Sequence, residues 1–367
     1  MSSKELNKYD IPVTKPFLPP RWEYEALLKK IWDNNWLTNN GPLVKQLERK
    51  LKEYLDIPNI SYVSNGTIAL QFAIKALGLH GEIITTPFSY VATTSSIVWE
   101  GCKPVYVDID PDTFNLDPDK IEEAITDKTS AIIATHVYGN PCDIEAIQNL
   151  ADQYNLKVIF DAAHCFGVKY KNRSLYDYGD ISTASFHATK LFHTIEGGGL
   201  ITQDPDLDLK IKYMRNFGHK GPLNFAGLGI NGKNSEFHAA MGLVNLKYVE
   251  DVLDRRYSLS KQYDNLLHDL NLRKPVISKD TSYNFSYYPV LLESESLTEK
   301  IVKKLDGEGI QVRRYFFPLL SKLDYTTNYS TPVAEDIASR VACLPLYHQL
   351  TVSEIEKVVA IIKNYCS

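Results

Sequence analysis

Lys190 closes the stretch Ser185-Phe-His-Ala-Thr-Lys190, which follows the apolar, β-branched run Ile181-Ser-Thr-Ala-Ser185. The run reads as a buried strand, and a strand end is a rigid mount for a reactive group. A lysine amine held among apolar neighbours loses solvation, so its pKa falls toward neutrality. A neutral amine can attack a carbonyl and form a Schiff base. An ordinary lysine is a solvated surface charge. This one ends an otherwise uncharged stretch, and Leu191-Phe-His-Thr-Ile-Glu196 then leads into Gly197-Gly-Gly199.

A lysine that holds pyridoxal 5'-phosphate (PLP) works only with partners. A carboxylate must keep the pyridine nitrogen protonated, so that the ring acts as an electron sink. Asp161 ends the apolar run Lys157-Val-Ile-Phe160 and suits that role; alone it reads equally well as a helix cap. The phosphate needs an anion cradle. Ser64-Asn-Gly-Thr67 stands between a strand-like and a helix-like run, where free N–H groups and the helix dipole favour an anion. Gly66 permits close backbone approach, and Thr67 and Ser185 add hydroxyls, although Ser, Thr and Asn at a helix start are ordinary N-caps. Tyr90, after Thr86-Pro87, is placed to stack on a flat ring or to fill a core. His164, just beyond Asp161, is placed to touch the cofactor's phenolic oxygen or to sit in a core.

Two other patterns point elsewhere and are weaker. Gly227-Leu-Gly-Ile-Asn-Gly232 spells a dinucleotide-binding motif, but no clear strand precedes it and no βαβ unit contains it. His164, Cys165, His187 and His193 match no familiar zinc spacing, so no metal is expected.

The elements that must position these residues alternate. Strand-like runs at Ile60–Val63, Glu82–Thr85, Lys103–Val107, Ala131–Thr135 and Lys157–Phe160 are separated by helix-like ones. That order predicts an α/β fold with a large, mostly parallel sheet covered on both faces. In such sheets ligands sit at the carboxyl ends of the strands, where Gly66, Thr67, Tyr90, His136, Asp161 and Lys190 fall. Residues 235–268 read as one long helix, and Phe285–Leu292 as a strand. Ser296-Leu-Thr-Glu299 and Thr351-Val-Ser-Glu354 fit capping boxes. The proline-rich Lys15-Pro-Phe-Leu-Pro-Pro20 forbids a regular helix, so residues 1–20 form an extended arm. Two domains are expected: residues 1–254, with the arm, and a smaller α+β unit over 255–367.

Composition narrows the partners. The net charge of −5 is mixed along the chain, so neither a nucleic-acid stripe nor an acidic tail is expected. The apolar runs are too short for a membrane span, and the start of the chain lacks a signal-peptide core. Five scattered cysteines without CxxC spacing fit a reducing cytoplasm.

Taken in order, Gly66-Thr67, Thr86-Pro-Phe-Ser-Tyr90, His136-Val-Tyr-Gly139, Asp161-Ala-Ala-His164, Ser185-Phe-His-Ala-Thr-Lys190, Glu196-Gly-Gly198 and Gly229-Ile-Asn231 resemble the DegT/DnrJ/StrS sugar aminotransferases over about residues 11–365. The resemblance implies an aspartate aminotransferase-like, fold-type I PLP-dependent transferase. It implies that Lys190 holds PLP and shuttles the proton, that Asp161 pairs with the pyridine nitrogen, and that Gly66, Thr67 and Ser185 bind phosphate. Tyr90 would stack on the ring. Asn231 would reach the phosphate of a neighbouring subunit, which implies a homodimer with shared active sites. Many members carry Arg where this chain has Lys233. Related sugar dehydratases have His in place of the lysine, so Lys190 favours transamination, with L-glutamate as donor. The arm Ile11–Pro20, the loop Trp36–Pro42 and the run Arg215-Asn-Phe-Gly-His219 resemble the branch that aminates dTDP-4-keto-6-deoxy-D-glucose for surface polysaccharide (O-antigen) synthesis. Arg215, Lys220 and Arg313 are candidates to meet the sugar diphosphate, or are plain surface charges.

Overall fold

A computed structural model describes residues 9–327 and 329–366. The expectation of no apolar leader falls mostly on residues 1–8, outside the described residues. The chain begins with α1 (Arg21–Asn34) and α2 (Pro42–Leu55), then alternates β1 (Ile60–Val63), α3 (Gly66–Ala76), β2 (Glu82–Thr85), α4 (Val91–Trp99), β3 (Lys103–Tyr106), β4 (Thr129–Thr135), α5 (Ile144–Tyr154) and β5 (Lys157–Asp161). Short strands β6 (Lys169–Tyr170) and β7 (Arg173–Ser174) precede β8 (Ile181–Ser185) and β9 (Gly198–Ile201). There follow α6 (Pro205–Met214), α7 (Glu236–Asn245), α8 (Val249–Leu267), β10 (Thr281–Ser282), β11 (Tyr288–Leu291), α9 (Glu295–Gly307), α10 (Pro332–Arg340), β12 (Val341–Leu344) and α11 (Val352–Cys366).

Seven strands form the central sheet in the order β1-β9-β8-β5-β4-β2-β3. The expected parallel pairing holds for β2–β3, β2–β4, β4–β5 and β5–β8. The exception is β9, which is antiparallel to both β8 and β1. The chain returns from β8 to β9 without a helix, and a direct return can only reverse direction. Strands β1, β2 and β9 are buried at every residue because helices cover both faces. All the crossover loops of the parallel strands therefore open at one edge, and the candidate residues lie there.

The predicted helix over 235–268 is two helices. A 3₁₀ turn at Leu246–Tyr248 separates α7 from α8. Asn245, buried at the break, donates from Nδ2 to the His193 carbonyl at 2.9 Å. Helix α7 packs on the core around the main sheet, whereas Leu259, Tyr263 and Leu267 of α8 join a second core with β11, α9 and α11. One straight helix would not serve both surfaces. The predicted strand Phe285–Leu292 shortens to β11, because Phe285 has φ of 52°, outside the extended region. The box at Ser296 also moves: Ser294 is the N-cap of α9, its Oγ accepting from the Leu297 N–H at 3.2 Å. At α11 the expected box forms, with the Thr351 N–H donating to Glu354 at 2.7 Å and the Glu354 N–H to Thr351 at 3.2 Å.

The arm before α1 is irregular, as its prolines require. Ile11 bridges Ile310 and packs in the second core. Farther along, Thr14 Oγ1 donates to the Thr189 carbonyl at 3.3 Å, and the Phe17 carbonyl accepts from His193 Nε2 at 2.7 Å. The arm thus ties the second core to the loop that carries Lys190. Among the described residues, no helix is long and apolar enough to cross a membrane.

Candidate active site

A cleft of about 530 Å³ opens at the carboxyl ends of β1, β2, β4, β5 and β8. Its wall includes seven of the eight residues singled out above: Gly66, Thr67, Tyr90, Asp161, His164, Ser185 and Lys190. They are up to 124 positions apart in sequence (190 − 66 = 124) and meet because neighbouring parallel strands end side by side.

Lys190 lies in the return loop after β8. The loop is pinned by the Phe186 N–H to the Gly197 carbonyl (2.8 Å) and the Thr194 N–H to the Phe186 carbonyl (2.9 Å). Beneath it, Phe192 stacks on Phe166 at 4.2 Å and meets Phe186 edge-on at 5.3 Å. Burial pushes the Lys190 amine down to about 8, against the pull of the Asp161 carboxylate. A loop anchored by buried aromatics thus holds an amine that is readily neutral.

Asp161 is buried at the end of β5. Thr93 Oγ1 donates to its Oδ2 at 2.7 Å, and the Ala163 N–H to its Oδ1 at 3.3 Å. Behind Thr93, Ser89 Oγ joins Thr93 Oγ1 at 2.8 Å and Thr135 Oγ1 at 2.9 Å. Burial raises the carboxyl's pKa; Thr93, the Ala163 N–H and the Lys190 charge pull it back. The hydroxyl chain fixes where the carboxylate points.

His164 is buried, stacked 6.0 Å from Phe316 and edge-on to Tyr287 at 4.8 Å. Burial holds its pKa well below the ordinary value, with Lys190 adding to the effect, so the ring is neutral. Its Nδ1 is buried without a hydrogen-bond partner among the described residues. At the other wall, Gly66 and Thr67 open α3, where N–H groups have no preceding turn to bond. Asn65 caps the next one, Oδ1 accepting from the Ile68 N–H at 2.9 Å. A Cβ on Gly66 would stand 3.0 Å from Ser185 Cβ, so a side chain there would press α3 and β8 apart by a few tenths of an ångström.

These groups suit a flat, phosphorylated aromatic aldehyde: an amine to bind it, an orphaned nitrogen, a half-exposed Tyr90 ring, and an open helix N-terminus with the Ser185 hydroxyl. Asn231 is not in this cleft. It sits exposed on the loop after α6, with Lys233 Nζ donating to its Oδ1 at 2.8 Å. Arg215 is turned inward, pairing with Glu48 at 2.5 Å and the Tyr62 carbonyl at 2.7 Å, so it is committed to the core. Lys220 is exposed on the same outer loop, whereas Arg313 does line the cleft. Gly227–Gly232 pairs back on Met214–Gly218 and is followed by no immediate helix, so the dinucleotide context is missing. Sequence reasoning passed over Thr93, Ser89 and Thr135. The one signal was an unusual density of hydroxyls in Ser89-Tyr-Val-Ala-Thr-Thr94. It also passed over Tyr287, Tyr315 and Phe316, which come from more than a hundred residues downstream and gave no local signal.

The model of the DegT/DnrJ/EryC1/StrS aminotransferase family matches residues 21–363. The chain belongs to that family. Its members are PLP-dependent, and this chain is a PLP-dependent aminotransferase. The chain is 44% identical over 359 residues to a dTDP-4-amino-4,6-dideoxy-D-glucose transaminase of Shigella dysenteriae, covering 96% of this chain and 98% of that one. It is similar to DesI, solved in the presence of its TDP-sugar product, with a TM-score of 0.91, 33% identity, and 96% and 92% of the two chains covered. It also resembles the PLP form of Spr1654 from Streptococcus pneumoniae, with a TM-score of 0.89, 25% identity, and 98% and 99% covered. The DegT/DnrJ/EryC1/StrS fold is thus the fold-type I architecture expected from the alternating elements.

Proposed function

We propose that this aminotransferase moves an amino group from L-glutamate to dTDP-4-keto-6-deoxy-D-glucose, giving dTDP-4-amino-4,6-dideoxy-D-glucose for surface polysaccharide synthesis in the cytoplasm. The observation that carries the reaction is Lys190 in one cleft with Asp161 and an open helix N-terminus. The acceptor follows from the Shigella dysenteriae relative, whose likeness covers 96% of this chain.

PLP, when bound, supplies the electron sink that lets an amino group leave one carbon and join another. Lys190 holds it through its amine and moves the proton at the reacting carbon. Asp161, aimed by Thr93, keeps the pyridine nitrogen protonated. Gly66, Thr67 and Ser185 would hold the phosphate, Tyr90 would cover one ring face, and His164 would face the phenolic oxygen. Asn231 completes the phosphate site of a second copy in a homodimer. Leu223 (89%), Phe225 (65%) and Leu228 (71%) are exposed on the loop leading to Asn231, where that second copy would cover them. Residues 1–254 and 255–367 are the large and small domains of this reading.

The test is a coupled assay of purified protein with L-glutamate and dTDP-4-keto-6-deoxy-D-glucose, followed by NMR of the product. A 4-amino sugar is expected. Amination at C3, or no turnover with a PLP-loaded enzyme, would refute the acceptor assignment.

A further inference from the structure

We infer that Arg313 receives a carboxylate of the amino donor, making it the residue that positions that substrate over Lys190. The inference rests on the transaminase reading above and names a recognition group within the same cleft.

Two consecutive arginines are used differently. Arg314 is largely buried and already paired: it meets Glu295 at 3.3 Å, Glu299 at 3.9 Å and the Ser339 carbonyl at 2.9 Å, with only its Nε left without a partner among the described residues. Arg313 lines the cleft, and no carboxylate or carbonyl accepts from its guanidinium among the described residues. Its backbone is clamped on β12, with the Arg313 N–H to the Cys343 carbonyl at 3.2 Å and the Cys343 N–H back at 2.8 Å. Its guanidinium rests 4.4 Å from the centre of the Tyr315 ring. Its backbone and one face of its guanidinium are therefore held, while the side chain stays exposed at the cleft with its donors unspent.

The other charges of the cleft wall are accounted for. Asp161 is held by Thr93 and Ala163. Glu196 pairs with His187 at 3.3 Å. Lys190 must be neutral to act as a nucleophile. An amino acid entering beside Asp161 and Glu196 brings a further negative charge, and only a permanent cation offsets it. A guanidinium meets a carboxylate with two parallel hydrogen bonds, which fixes orientation as well as affinity.

Geometry favours the donor over the diphosphate of the acceptor. In an amino acid the carboxylate is bonded to the very carbon that reacts. In a 4-keto sugar nucleotide the diphosphate hangs from C1, across the whole pyranose ring from the reacting carbon. Arg313 and Lys190 line the same cleft, in which a carboxylate bonded to the reacting carbon must also lie.

The experiment compares wild type with Arg313→Gln and Arg313→Lys, and with Arg314→Gln as a control. Glutamate is titrated into the PLP-loaded enzyme and followed by absorbance. Glutarate, a dicarboxylate without an amine, and dTDP are titrated separately by calorimetry. Arg313→Gln is expected to weaken glutamate and glutarate roughly 10- to 100-fold, with dTDP changed less than twofold, Arg313→Lys recovering part, and Arg314→Gln matching wild type. Unchanged glutamate and glutarate binding in Arg313→Gln would overturn the inference, as would a loss confined to dTDP. A PLP-loaded wild type that does not respond to glutamate at all would instead refute the donor in the proposed function, and the inference with it. Circular dichroism and retained PLP absorbance show that each variant is folded.

Discussion

The amine of Lys190 is useful because of where its loop is buried, and that makes its titration a direct readout. Burial lowers its pKa to about 8 from an ordinary 10.5. Below that pH the protonated amine cannot attack a carbonyl, and each further unit removes about tenfold of the neutral form. The rate at which cofactor-free protein captures PLP should therefore climb tenfold per unit through pH 6–8 and flatten above about 8. A rise that continues to pH 10, read by stopped-flow absorbance, would show that the amine is solvated. The same shift bears on stability. Between about 8 and 10.5 the unfolded chain binds the proton and the folded one does not, so this group makes the folded state more stable as pH rises through that window. Asp161 shows the complementary device, a buried carboxylate kept in one orientation by Thr93, Ser89 and Thr135.

At the scale of elements, the site is a set of strand ends plus one helix start. Helix α3 brings unbonded N–H groups against β8, and the missing side chain at position 66 eases that approach. In Gly66→Ala the new Cβ would stand 3.0 Å from Ser185 Cβ and 3.3 Å from its Oγ, pressing on a hydroxyl proposed to hold the phosphate. The expected outcome is roughly tenfold weaker PLP retention, with the melting temperature of the cofactor-free protein nearly unchanged because alanine suits a helix start at least as well as glycine. Equal PLP affinity in equilibrium dialysis would remove Gly66 from the cradle. The break between α7 and α8 belongs to this scale too: Asn245 on His193 ends one helix where the chain passes from the first core to the second.

At the scale of the whole molecule, Asn231 lies outside the cleft of its own chain. If it serves a second copy, two defective variants should repair each other. Lys190→Ala and Asn231→Ala proteins, each impaired alone, should recover activity when unfolded together and refolded as a mixture, since a mixed dimer contains one intact site. No recovery, with mixed dimers demonstrated by native mass spectrometry, would place Asn231 in its own subunit's chemistry or in none. The exposed Leu223, Phe225 and Leu228 near it are the surface such a dimer would cover.

By itself the sequence determined the alternating α/β order, the strand ends and seven cleft residues. Each of those signals is local: an apolar run, a capping residue, a glycine before a helix, one lysine after a strand. The antiparallel turn of β9, the split of the long helix and the inward turn of Arg215 were decided by tertiary packing. So were the Thr93 chain behind Asp161 and the placing of Arg313, Tyr315 and Phe316 in one cleft with Lys190. Those depend on which surfaces meet across long separations, and a side chain's burial, charge partners and pKa exist only once they have met.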